Sequence, residues 1–115
     1  MKKFMNCPTL KTIIVKCLNW EETVVVDSNI FSDYYMEAAT RAIEKKNQEN
    51  NIEVAVVMEC YEKDNEKNPK KHFIYNTYFV LINCSMYDKA EMLRLNFLKL
   101  YGIDLKKESL NSDER

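Results

Sequence analysis

The chain has 115 residues, of which 46% are hydrophobic and 30% are charged, and this composition excludes a disordered chain and favours one folded domain over residues 1–115. Its 17 basic and 18 acidic residues nearly cancel, so no overall charge draws the protein to nucleic acid or to an anionic membrane. A single glycine argues against a nucleotide-binding enzyme, because phosphate-binding loops use glycine for close backbone approach.

A β-hairpin is predicted after a loose leader over residues 1–10. The segment Thr12–Leu18 alternates between apolar and polar side chains, and Thr23–Asp27 repeats the pattern. The short link that begins at Asn19 is the right length for a hairpin turn, and it contains Trp20.

A helix is predicted next, with Asp33 or Ser32 as its N-cap. Apolar residues from Met36 to Ile43 fall at helical spacing and form one stripe. Two alanines on this stripe allow the helix to lie close to a sheet. The polar residues 45–51 are predicted to be a linker.

A second hairpin is predicted from two further apolar segments. Ile52–Tyr61 is rich in β-branched residues and apolar on both faces at its centre, as in a central strand. A charged loop follows, and His72–Ile82 is then predicted as the longest strand.

The last element is predicted to be a helix capped by Ser85, with an apolar stripe from Met86 to Leu100 at spacings of four and three. Gly102 stands where a helix end needs a left-handed residue. Residues 104–115 are predicted to be a polar tail.

The predicted order is ββαββα, which gives the α+β class. Its simplest packing is a four-stranded antiparallel sheet with two helices on one face. A β-grasp-like arrangement is the alternative.

The cysteines, Cys7, Cys17, Cys60 and Cys84, have none of the paired spacings of zinc sites. We therefore expect free thiols and no bound metal or cofactor. His72 is the only histidine, and no nucleophile lies near it in sequence, which predicts a protein that is not an enzyme. The sequence shows no signal peptide and no apolar run that could span a bilayer, which favours the cytoplasm and no membrane partner.

A basic and aromatic region in the second hairpin is a candidate for binding nucleic acid, because single-stranded nucleic acids bind to lysines beside stacking aromatics. Acidic residues in the same loop weaken this pattern. The candidate contacts are Lys63, Lys67, Lys70, Lys71, Tyr75 and Tyr78.

Large apolar side chains exceed what two helices on one sheet face can cover. Tyr87, Leu95 and Leu98 lie off the main stripe of the last helix, and Trp20 lies in a predicted turn. These four residues predict an interface with a second copy of the chain or with another protein. Burial in a wide core is the structural alternative, and a small enzyme or small-molecule binder with a pocket between subunits is a further functional one.

Two segments, Asn19–Asp27 (NWEETVVVD) and Tyr35–Glu44 (YMEAATRAIE), resemble small accessory proteins of large tailed bacteriophages, many of which pair a β-hairpin with an alanine-rich helix. This resemblance implies a short viral protein that acts by binding, either in the virion or on a host component. It transfers no functional residue.

Overall fold

The computed structural model describes residues 9–49, 51–63 and 70–107. Within these ranges the chain forms four strands and three helices. In chain order they are β1 (Leu10–Cys17), β2 (Trp20–Asp27), α1 (Tyr34–Glu49), β3 (Met58–Glu62), β4 (His72–Ile74), α2 (Tyr78–Asn83) and α3 (Tyr87–Tyr101). The first eight and last eight residues, most of the predicted leader and tail, lie outside the described part.

The strands form one antiparallel sheet in the order β2-β1-β3-β4. The α+β class and the four-stranded antiparallel sheet are therefore confirmed, while the helices number three in the described residues rather than the expected two. Helix α1 packs against the sheet, mainly on β2 and β1, whereas α2 packs against α1 and α3 packs against α2.

The first hairpin has the predicted strands and a tighter turn than expected. Only two residues, Leu18 and Asn19, connect β1 to β2, and Leu18 adopts a positive φ of 51°. Trp20 is therefore the first residue of β2 and not part of the turn. Ile13 and Val15 of β1 are fully buried, because the alternation of the strand points them to the face that α1 covers.

Helix α1 follows the prediction at its start and extends further at its end. The Asp33 carboxylate accepts a hydrogen bond from the Met36 amide at 3.1 Å, which identifies Asp33 as the N-cap. The side chains that contact the sheet are all fully buried: Ala38, Ala39, Ala42 and Ile43. The predicted linker is wrong over most of its length, because the helix continues to Glu49 and Lys46 pairs with Glu49 at 3.4 Å.

The third strand is shorter than predicted, because residues 52–57 lie outside the sheet. Their backbone groups find other partners. The indole N–H of Trp20 donates to the Glu53 carbonyl at 2.9 Å, and the Thr77 hydroxyl donates to the Ala55 carbonyl at 2.6 Å. These bonds replace the sheet ladder over this segment.

The predicted strand His72–Ile82 is wrong after Ile74, since its second half forms α2. The Asn76 side chain ends the strand: its oxygen accepts a hydrogen bond from the Tyr78 amide at 3.1 Å, and its amide group donates to the Leu105 carbonyl at 2.9 Å. A continuous apolar run fits a buried helix as well as a buried strand, and Val80 and Leu81 are fully buried here.

The boundary between α2 and α3 differs from the predicted Ser85 cap. Ser85 has a φ of 60° and donates its amide to the Ile82 carbonyl at 2.9 Å, while the Met86 amide donates to the Leu81 carbonyl at 2.9 Å. This pattern is a Schellman motif, so Ser85 closes α2 and Met86 becomes the N-cap of α3.

The far end of α3 confirms the prediction for Gly102. This residue has a φ of 71° and donates its amide to the Leu98 carbonyl at 2.8 Å. Leu100, which was expected on the buried stripe, is exposed. The predicted polar tail is also wrong at its start, because Leu105 is buried in the core. Among the described residues, no helix combines the length and apolarity needed to cross a membrane.

Candidate protein-binding surface

Helix α3 is held to the rest of the protein along one side only. Its one buried residue is Ala90, and Leu93 and Phe97 pack against the core while half-buried. At its start the Lys89 ammonium donates to the Ile52 carbonyl at 2.9 Å. The side of the helix away from these contacts has no buried residue.

This opposite side carries large apolar side chains. Tyr87, Leu95 and Leu98 are 59%, 48% and 36% exposed. The spacing of eight and eleven residues from Tyr87 places them on one side of the helix. Tyr101 is exposed as well, but it lies eleven residues after Ala90 and therefore on the side of the helix that faces the core, with its ring 4.6 Å from that of Phe97. We call Tyr87, Leu95 and Leu98 the outer face of α3.

An ion-pair cluster lies in the middle of this helix. Arg94 bonds the Glu91 carboxylate at 2.7 Å and the Asp104 carboxylate at 3.2 Å. The hydrogen bond from Arg94 lowers the pKa of Glu91, and the same two acids raise the pKa of Arg94. Desolvation opposes ionisation of Asp104, but hydrogen bonds from the Lys106 amide and Arg94 still lower its pKa. All three groups therefore stay charged near neutral pH.

The structure separates the four predicted interface residues. Tyr87, Leu95 and Leu98 lie together on α3, as their spacing predicts. Trp20 does not join them, because it is partly buried against the core and its indole bonds the Glu53 carbonyl. Sequence reasoning did not single out the Glu91 to Arg94 pair, although its i, i+3 spacing is typical of an ion pair on a helix.

The residues predicted to contact nucleic acid differ in their exposure. Tyr78 is buried in α2, and Lys71 pairs with Glu59 at 3.1 Å. Lys63, Lys70 and Tyr75 are exposed, whereas Lys67 lies outside the described residues. Tyr78 is therefore not available to stack on a base, while binding of nucleic acid through the other residues of the set stays a prediction.

The described cysteines and His72 lie in different environments. Burial raises the pKa of Cys60 and of Cys84 to about 12, and it raises the pKa of Cys17, so these thiols are poor nucleophiles. The His72 ring stacks on the Tyr35 ring at 4.2 Å. In residues 9–49, 51–63 and 70–107, no group of three His, Cys, Asp or Glu side chains could hold a metal ion.

The chain matches no protein-family model, no curated protein and no solved structure. The geometry of α3 and of the sheet is therefore the basis for a proposal of function.

Proposed function

We propose that this protein is a non-enzymatic binding and assembly module that forms a two-fold dimer through the outer face of α3. The observation that carries the proposal is the row of Tyr87, Leu95 and Leu98, which are exposed together on a side of α3 that has no buried residue.

The grouping of the row on one side of a helix is what distinguishes it from ordinary surface. Single exposed leucines are common on soluble proteins, but three large apolar side chains on one helix side, which flank the Glu91 to Arg94 ion pair, are typical of a surface that another helix covers. Full burial of a leucine or an aromatic side chain contributes about 1.5–3 kcal/mol. The exposed halves of Tyr87 and Leu95 therefore leave about 1 kcal/mol each for a partner to gain.

A second copy of the chain is the partner that the sequence of α3 fits. In an antiparallel pair of α3 helices, Tyr87 lies opposite Leu98 of the second copy when the two-fold axis crosses the outer face at the level of the Met92–Leu93 peptide bond. The same axis places Glu91 opposite Arg94 of the second copy. Apolar contacts and opposite charges then coincide in one register, as an isologous interface requires.

The experiment is a charge substitution within the row. We expect the mass of the parent protein, measured by light scattering, to rise from one chain to two with concentration, and Leu98→Glu to stay at one chain. An unpaired carboxylate in an apolar contact costs about 3 kcal/mol or more, which weakens association by about 100-fold or more. Leu95→Glu should act in the same way.

Leu18→Glu is the matched control, because Leu18 is also an exposed leucine but lies at the tip of the first hairpin. It should leave the dimer intact. Circular dichroism must show that every variant keeps its fold. A parent protein that stays monomeric at high concentration contradicts the proposal, and loss of the fold in both Leu95→Glu and Leu98→Glu would mean that these residues support the core.

The resemblance to bacteriophage accessory proteins gives this proposal a biological setting. A short viral protein that acts by binding, in the virion or on a host protein, would use a surface of this kind. Either setting stays a prediction, and isolation of the complex from cells that contain the chain would test it.

A further inference from the structure

The free edge of the sheet is a second candidate surface for binding. In the described part of the chain, β2 has a neighbouring strand on one side only. It is eight residues long and contains no proline. A long edge strand of this kind offers its backbone N–H and C=O groups to another strand.

The direction of these backbone groups follows from one hydrogen bond. The Val25 carbonyl accepts a hydrogen bond from the Arg41 guanidinium at 3.1 Å, so it points away from β1. Since backbone groups alternate in direction along an antiparallel strand, those of Thr23 and Glu21 point to the same free edge. The Asp27 carbonyl accepts the Ile30 amide at 3.0 Å, which ends the available edge at that residue.

Arg41 is held firmly over this edge. Its guanidinium bonds the Glu37 carboxylate at 2.8 Å and lies 5.4 Å from the centre of the Phe31 ring. The guanidinium that donates to the Val25 carbonyl is thus anchored by an ion pair and a cation–π contact. A strand that approaches β2 would have to displace it.

We propose that the edge of β2 pairs with β2 of a second copy when Arg41 is released, and that Arg41 normally keeps this edge closed. A two-fold pairing centred on Thr23 sets Glu21 opposite Val25 of the second copy and Glu22 opposite its Val24. No two acidic residues then face each other, and the backbone groups that point to the edge pair with one another.

Other registers fit less well. Centring on Glu21 places Glu21 opposite its own copy, which like charges disfavour. Centring on Val24 places Glu21 opposite Asp27 of the second copy, which is another pair of like charges. The favoured register needs the Val25 carbonyl, which is the group that Arg41 covers. This inference concerns a different element from α3 and does not depend on the proposed α3 dimer.

The test is Arg41→Met, which keeps a long side chain on α1 and removes the guanidinium. Lys45→Met is the matched control, because it also removes one positive charge from α1 and breaks the 2.8 Å pair of Lys45 with Glu22. Hydrogen exchange at the Thr23 amide is the readout, because association through α3 does not protect this group. We expect exchange at high protein concentration to slow by about tenfold or more in Arg41→Met, and not in Lys45→Met.

A second substitution shows which edge is involved. Thr23→Lys in the Arg41→Met chain places two lysines opposite each other and should abolish the association, since an edge lysine opposes strand pairing. Glu37→Gln removes the ion pair that anchors Arg41 but keeps Arg41 itself. It should also slow exchange at the Thr23 amide, by less than Arg41→Met does. This variant keeps the test usable if Arg41→Met fails to fold.

The inference is overturned if Arg41→Met and Lys45→Met exchange the Thr23 amide equally fast at high concentration. It is also overturned if Arg41→Met associates and Thr23→Lys does not reverse it. The same measurements in the Leu98→Glu chain separate the two surfaces, because light scattering then reports only pairing through β2.

Discussion

The left-handed residue at the end of α3 gives the sharpest test of the fold. Gly102 has a φ of 71°, and a Cβ built on it would meet no atom within 4 Å. The cost of Gly102→Ala is therefore conformational and not steric. A residue with a Cβ loses about 1–2 kcal/mol in the left-handed region, and the smaller entropy of the unfolded alanine chain offsets about 0.4–1 kcal/mol of this. We expect the free energy of unfolding to fall by about 1 kcal/mol.

Urea unfolding followed by circular dichroism measures this change. The midpoint should fall at an unchanged m value, and the melting temperature should fall by about 4 °C for a chain of this size. Gly102→Asn is the control, because asparagine tolerates the left-handed region better than alanine, and it should lose less. If Gly102→Ala is as stable as the parent, or if Gly102→Asn is the less stable of the two variants, the left-handed conformation of residue 102 does not determine the stability of this helix end.

Two further predictions concern the start of α1 and the thiols. Asp33→Ala removes the acceptor of the Met36 amide and should lower the free energy of unfolding by about 1 kcal/mol, whereas Asp33→Asn should keep most of it; equal losses in urea unfolding would contradict the cap. In denaturant we expect all four thiols to react with a thiol reagent at pH 8, while in the folded protein Cys60 and Cys84 react far more slowly, because burial raises the pKa of each to about 12. Fewer than four reactive thiols, or stoichiometric zinc by elemental analysis, would contradict this.

The elements that could be predicted from sequence are those with local signals. An alternating pattern, interrupted at Ile14 and Val25, marks both strands of the first hairpin. An acidic cap at Asp33 followed by a stripe ending in Ile43 marked α1, and Gly102 marked the end of α3. Each of these signals acts within a few residues, so it does not depend on the rest of the fold.

The second half of the sheet could not be predicted, because distant contacts decide it. Asn76 ends β4 by bonding a carbonyl 29 residues away, and Thr77 bonds Ala55 across 22 residues. The run Tyr78–Ile82 has the apolar character of either a buried strand or a buried helix. Ser85 closes α2 in a left-handed conformation that glycine or asparagine usually occupies, so the serine predicts the start of a helix and not the end of the preceding one.

The candidate surfaces also contain parts that local spacing predicts and parts that depend on distant contacts. Helical spacing alone identified Tyr87, Leu95 and Leu98 as lying off the buried stripe, and they are exposed. The sequence places Trp20 in a turn, whereas in the structure it is partly buried and its indole bonds the Glu53 carbonyl. This contact joins residues far apart in the chain, so local spacing does not predict it. The free edge of β2 could not be found from sequence, because an edge is defined by strand order and strand order is a property of the whole sheet.

The two proposed surfaces together determine how far assembly can proceed. A two-fold contact through α3 is closed, because each chain uses its one outer face and the assembly stops at two. A second two-fold contact through β2 would join such dimers end to end into an open chain of sheets. Arg41 lies at this second contact and occupies the Val25 carbonyl at 3.1 Å. A chain with both surfaces open would therefore grow without limit, so Arg41→Met should give assemblies larger than a dimer, whereas Arg41→Met combined with Leu98→Glu should stop at two chains.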